Sequence, residues 1–171
     1  MNKEIFILSD THSYLDDSLL PYMNNSDEVW HCGDIGNLDV LERLESSNTS
    51  FKGVYGNIDG HEIRAALPEF QLIQYGSHSI LIIHIAGSIR KYTPRCRDLI
   101  QSYSPTILVC GHSHILKVAA DDRYQLLYIN PGACGHHGFH KFRTAIQLVL
   151  TEDSISKMDV VQLGQRGRNI P

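Results

Sequence analysis

The strongest constraint on this chain's fold is an alternation in its first third, where short apolar runs each stop at a polar or glycine turn. Residues 4–8 run into Ser9 and Asp10, residues 29–32 into Gly33 and Asp34, and residues 51–55 into Gly56 and Asn57. Runs of this length bounded by such turns read as buried strands. Between the first two, Leu15, Leu19, Leu20 and Met23 mark a short helical face interrupted by Pro21. Asn37 is placed to cap a second helix whose inner face is Leu38, Leu41 and Leu44. Strand, helix, strand, helix, strand predicts right-handed βαβ units around a largely parallel sheet, an α/β fold.

From residue 70 the pattern changes to hairpins. Residues 70–75 and 79–85 flank Gly76 and Ser77, a turn signal. Thr93 and Pro94 are a cap and first-turn pair for a helix carrying Leu99 and Ile100 and ending before Pro105. Residues 106–110 form one further strand, residues 116–120 and 124–130 flank Asp121 and Asp122, and residues 143–150 and 154–161 flank Glu152 and Asp153. So many hairpins predict a second, mixed or antiparallel sheet packed on the first. The 171 residues read as one domain over 1–164, followed by a polar tail at 165–171 that should fray.

Histidine stands out in the composition, with ten against fifteen Lys and Arg together. It is the commonest metal ligand and titrates near neutrality. The net charge of −4 gives no electrostatic case for nucleic acid or an anionic membrane as the main partner. Residues 1–8 lack the apolar core of a signal peptide, and the apolar stretch at 80–85, broken by His84, is far too short for a membrane span. Cys32, Cys96, Cys110 and Cys134 show no C-x-x-C spacing, so reduced thiols and a cytoplasmic location are expected.

Position turns the histidine excess into a pattern. Asp10 and His12 follow the first strand, Asp34 the second and Asn57 the third; His84 ends the strand after the hairpin, and His112 and His114 follow residues 106–110. Ligands of open α/β sheets bind outside the carboxyl ends of strands. Any one such residue is most simply a turn, a cap or a core side chain. Five strand ends delivering two carboxylates, an amide and four imidazoles are hard to obtain as independent caps. The mixed oxygen and nitrogen donors suit Mn, Fe, Zn or a similar divalent ion.

Ser9-Asp10-Thr11-His12, Gly33-Asp34-Ile35-Gly36, Gly56-Asn57-Ile58-Asp59, His84 and Gly111-His112-Ser113-His114, in that order, resemble the blocks of the calcineurin-like metallophosphoesterases. The short chain is similar to the small phosphodiesterase subgroup, which also resembles the retromer subunit Vps29. The resemblance implies a four-layer α/β/β/α sandwich of two mixed sheets flanked by helices. It implies two divalent metals, Mn first, with Fe, Zn, Ni or Mg as alternatives. Asp10, His12, Asp34 and His114 would hold one, and Asp34, Asn57, His84 and His112 the other, with Asp34 bridging. The implied reaction is hydrolysis of a small phosphoester, more specifically a diester, by in-line attack of a hydroxide between the metals. A protein-interaction scaffold of the Vps29 kind that keeps a metal site is the alternative.

Two departures stand out. Many members carry a histidine after the metal-binding asparagine, thought to protonate the leaving oxygen; here Ile58 occupies that position, leaving His61 and Asp59 as the nearest proton carriers. The family's His-Gly is replaced by His84-Ile85-Ala86-Gly87. Asn57, Arg90 and Arg95 are the expected substrate contacts. His31 reads as packed in its strand, His78 as solvated in the hairpin turn, and His136, His137 and His140 as part of a surface loop.

Overall fold

Alternate residues of each strand face opposite layers, and the apolar sequence divides accordingly. The computed structural model describes residues 2–47 and 49–167. Along the chain run β1 (Lys3–Leu8), α1 (Leu20–Asn24), β2 (Glu28–His31), α2 (Leu38–Glu45), β3 (Ser50–Gly53) and α3 (His61–Ala66). There follow β4 (Phe70–Tyr75), β5 (His78–Ile83), a small ribbon of β6 (Gly87–Ser88) and β7 (Lys91–Tyr92), and α4 (Pro94–Tyr103). The remainder is β8 (Ile107–Val109), β9 (Leu116–Asp121), β10 (Leu126–Pro131), β11 (Phe142–Leu150) and β12 (Ile155–Gln165).

Two five-stranded mixed sheets result, ordered β12-β11-β1-β2-β3 and β4-β5-β8-β10-β9. Ile5, Ile7 and Trp30 of the first sheet meet Ile80, Ile82, Ile107, Val109 and Ile129 of the second in one apolar core. Their neighbours Phe6, Leu8 and Val29 face outward onto Leu19, Met23, Leu41 and Leu44. On the opposite outer face, Leu81, Ile83 and Leu108 pack on Cys96, Leu99 and Ile100 of α4. The order is therefore helix, sheet, sheet, helix, as the resemblance implied.

The local signals hold where capping chemistry is explicit. The Asn37 side chain accepts from the Val40 N–H at 3.0 Å and Thr93 from Cys96 at 3.2 Å, capping α2 and α4. Pro21 sits in the first turn of α1, after a 3-10 turn at Asp17–Leu19, where its missing N–H costs no hydrogen bond. Leu38, expected on the inner face of α2, is exposed, and Val40 is buried with Leu41 and Leu44.

Longer-range expectations needed correction. The β11–β12 hairpin joins the first sheet, where β11 pairs antiparallel with β1 (Ile5 opposite Leu148), so the second half does not build the second sheet alone. The second sheet is mixed, as expected, with a parallel centre of β5-β8-β10 between antiparallel edges. Helix α3 has no counterpart in the strand-and-helix reading above. His78 is the first residue of β5 and is buried, not solvated. Gln165 still belongs to β12 and the Arg166 N–H donates to the Lys141 carbonyl, so the tail is held at its start; residues 168–171 lie outside the described residues.

Leu148 is fully buried between the sheets. Leu148→Ala is expected to cost about 2–5 kcal/mol of stability, read as a lower urea midpoint at unchanged slope.

Candidate metal centre

The parallel strands of both sheets point their carboxyl ends to the same side, and the loops leaving them meet there. These loops turn so tightly that Asp10, His12, Asp34, His112 and His114 all adopt left-handed backbone, with φ of 54°, 46°, 58°, 68° and 58°. Each such non-glycine residue costs of order 1 kcal/mol, and strain of this kind concentrates at functional sites. Gly56 allows a close passage: a Cβ there would collide with the Asp34 backbone N and carboxylate.

Two clusters form. In the first, His114 Nε2 lies 3.2 Å from Asp10 Oδ1 and 3.2 Å from His12 Nε2, and His12 Nε2 is 3.6 Å from Asp34 Oδ2. In the second, His84 Nε2 lies 3.2 Å from Asp34 Oδ1 and 3.0 Å from Asn57 Oδ1, which is 2.8 Å from His112 Nδ1. Asp34 thus gives one oxygen to each cluster. All seven expected ligand residues are brought together, in the two groups expected.

The donor chemistry fits divalent cations. Asp10 Oδ2 accepts from Ser9 Oγ and the His112 N–H, but Asp10 Oδ1 is buried with no hydrogen-bond partner in the protein, its approach to His114 being close without being a hydrogen bond. His84 donates from Nδ1 to the Cys32 carbonyl at 2.7 Å, which leaves Nε2 facing two oxygens. Only a proton or a cation at Nε2 satisfies that arrangement, and although burial works against its charge, the Asp34 carboxylate raises the His84 pKa. Burial lowers the pKa of His12 and of His112, favouring the neutral rings that metals bind.

Around the clusters the remaining expected residues separate. Arg95 lines a cleft of about 360 Å³ that also includes Asn57 and His84, whereas Arg90 is exposed in the turn between β6 and β7, outside it. His61 opens α3 with its side chain exposed, and Ile58 is exposed while its N–H donates to Asp34 Oδ1. The glycine-rich loop contributes more than a surface: the His137 ring centroid is 4.8 Å from that of His12, and His140 is 5.2 Å from His114.

With this geometry in view, the calcineurin-like phosphoesterase superfamily domain matches residues 4–153. The chain belongs to that superfamily. A probable metallophosphoesterase of Methanocaldococcus jannaschii is 28% identical over 137 residues, covering 75% of this chain and 67% of the relative. A phosphodiesterase of the same archaeon is 25% identical over 146 residues, 77% and 84% of the two chains. Vps29 of Chaetomium thermophilum, at 15% identity, matches over 94% of this chain and 95% of its own with a TM-score of 0.70, so the fold is shared. Calcineurin-like phosphoesterases bind divalent metals, and Asp10, His12 and His114, like Asp34, His84 and His112, are grouped closely enough to do so.

In this calcineurin-like phosphoesterase, three side chains hold the loops in place. Asp59 is buried, with Oδ1 accepting from the Gly36 N–H at 2.8 Å and Oδ2 from the Gly56 N–H at 2.7 Å. That engagement makes it a brace between two loops. Arg64, missed in the sequence because α3 was, donates to the carbonyls of Gly56, Asn57 and Asp59 at 3.0, 3.2 and 2.6 Å. His31 accepts from the Gly33 N–H at Nδ1, so Nε2 carries the proton and donates to Thr11 Oγ1, which donates on to the Ile35 carbonyl. It is packed, as expected, and also ties the Asp10 loop to the Asp34 loop.

Burial lowers the His31 pKa from 6.5 to about 4. Between these values the unfolded chain holds a proton that the folded chain does not, so stability falls as pH drops through that window and is unaffected by His31 above it. The metal-free wild type is expected to lose stability from pH 6.5 to 4 more steeply than His31→Gln, as measured by urea unfolding at each pH.

Proposed function

We propose that this protein is a metal-dependent phosphoesterase acting on phosphodiesters. One divalent ion would be held by Asp10, His12, His114 and Asp34, and a second by Asp34, Asn57, His84 and His112. The observation that carries this reading is the Asp34 carboxylate, one oxygen 3.6 Å from His12 Nε2 and the other 3.2 Å from His84 Nε2. Such a pair supplies Lewis-acid polarisation of the phosphoryl group and lowers the pKa of water. The two carboxylates only partly neutralise two divalent charges, and Asn57 adds a ligand without cancelling more, which favours an anionic ester. The mixed oxygen and nitrogen donors suit Mn, with Fe, Zn, Ni and Mg as competitors. The four cysteines are all buried and unpaired, which supports a reducing compartment such as the cytoplasm.

The chain's own residues shape the reaction by what they hold and by what they omit. Arg64 and Asp59 fix the loop that presents Asn57, and His31 fixes the loops of Asp10 and Asp34. No side chain able to donate a proton stands at Ile58, and the Asp59 carboxylate is occupied by two backbone N–H groups. General acid help is worth about 10²–10⁴-fold, so Ile58 in place of a proton donor favours esters with good leaving groups. With Mn²⁺, bis(p-nitrophenyl) phosphate should be hydrolysed near neutral pH, and Asp34→Asn should abolish turnover and weaken binding of both ions in a calorimetric titration. Metal-loaded wild type without turnover across pH 6–9, a window set about neutrality by the imidazole ligands, would refute the enzymatic reading.

A second reading is a protein-interaction scaffold. Ile115, Leu116, Phe142 and Val160 line a groove of about 550 Å³ beside His114, and all four are exposed. Contiguous exposed apolar side chains of this kind mark binding surfaces. Bound metals without turnover would leave this reading standing.

A further inference from the structure

The cleft beside the second cluster runs from Asn57 and His84 to Glu69 and Arg95, with Tyr55, Ile83 and Ile85 among its walls. Resting on the phosphoesterase reading, we propose that this cleft seats an organic arm of the substrate and that Arg95 selects arms bearing a carboxylate or another oxyanion. Three observations support this. The first is continuity: Asn57 and His84 are walls of the cleft and members of the second cluster, so an ester held at that cluster has this cleft as its adjoining space. Its volume of about 360 Å³ suits a small organic group, within the range of ligand pockets.

The second is the geometry of Arg95. Its Nε lies 3.2 Å from both Glu69 carboxylate oxygens and Nη2 lies 2.7 Å from Oε2, with the guanidinium 5.3 Å from the Phe70 ring centroid. The fork is thus already aligned for a planar oxyanion. Both side chains are about half exposed, at 53% and 41%, so a substrate oxyanion can reach the fork and compete with Glu69 for it. The third is the charge of the walls. Arg64 donates to three carbonyls, which do not neutralise it, and its guanidinium lies 4.5 Å over the Tyr55 ring. Two cations against one carboxylate leave the cleft with a positive balance.

The experiment compares binding of three single-armed phosphomonoesters, 2-carboxyethyl phosphate, propyl phosphate and phosphocholine, to the Mn²⁺-loaded full chain by calorimetry. Their inhibition of bis(p-nitrophenyl) phosphate hydrolysis is measured in parallel. The wild type should bind the carboxyethyl ester most tightly and phosphocholine least. Glu69→Gln should widen that preference by about twofold to fivefold, the scale of an exposed charge contact. Arg95→Gln should erase it and Arg95→Lys should restore it in part, a pattern that a merely structural role for Arg95 does not produce. Equal binding of the three esters, or a preference that survives Arg95→Gln, overturns the assignment of the cleft while leaving the phosphoesterase reading intact. Failure of all three to bind, together with absent diester turnover, overturns both.

Discussion

The shared carboxylate of Asp34 is the contact on which the rest of the site depends. One side chain serves two clusters only if the loops carrying His12 and His84 close on it from opposite sheets. That closure sets the demands on the backbone. Asp34 itself is left-handed, Gly56 has no room for a side chain, and the Ile58 N–H is directed at the same carboxylate. The apolar layer between the sheets holds these loops at fixed separation, because Ile7 and Trp30 on one side pack against Ile82 and Val109 on the other. The strain of five left-handed residues is sustained by that packing and by polar braces that leave few loop groups unpaired.

The residues of both clusters were legible in the sequence because each stands at or just after the end of an apolar run. Strand ends are local signals, and the rule that α/β sheets bind ligands at their carboxyl ends turned seven local signals into one site. The caps Asn37 and Thr93 were legible for the same reason: their chemistry is complete within three residues. What stayed hidden depends on contacts distant in sequence. Nothing in residues 143–161 indicates that β11 pairs with β1 and not with the second sheet, since a hairpin's own pattern is indifferent to which free edge it finds. The braces were hidden too. The bracing role of Asp59 was not legible because its partners, the N–H groups of Gly36 and Gly56, are set by how two loops meet. His78 lies closer to the interior than its turn-like neighbours implied.

The two grooves beside the centre differ in character. The cleft at Asn57 and His84 is walled by arginines, a glutamate and a tyrosine along with two isoleucines, whereas the groove at His114 is lined by Ile115, Leu116, Phe142 and Val160. A recess holding two arginines and a glutamate on one side, and a groove where four exposed apolar side chains lie beside a single lysine on the other, give one centre two kinds of neighbour. Enzyme and scaffold roles therefore need not compete for the same residues: His114 borders the apolar groove, and Asn57 and His84 border the charged cleft.

The position of β1 has a consequence for how the molecule is made. The strand that carries Asp10 and His12 lies at the centre of its sheet, with β2 on one edge and β11, more than 130 residues later, on the other. Pairings of such sequence separation are slow to form, because the loop must be closed before any contact rewards it. On a ribosome, the first residues of the site emerge first yet wait for residues 142–150 before their strand is bordered on both sides. The loops of Asp10 and Asp34 therefore come to rest late, and a chain interrupted before β11 would carry all seven residues of the two clusters without the strand that completes their sheet.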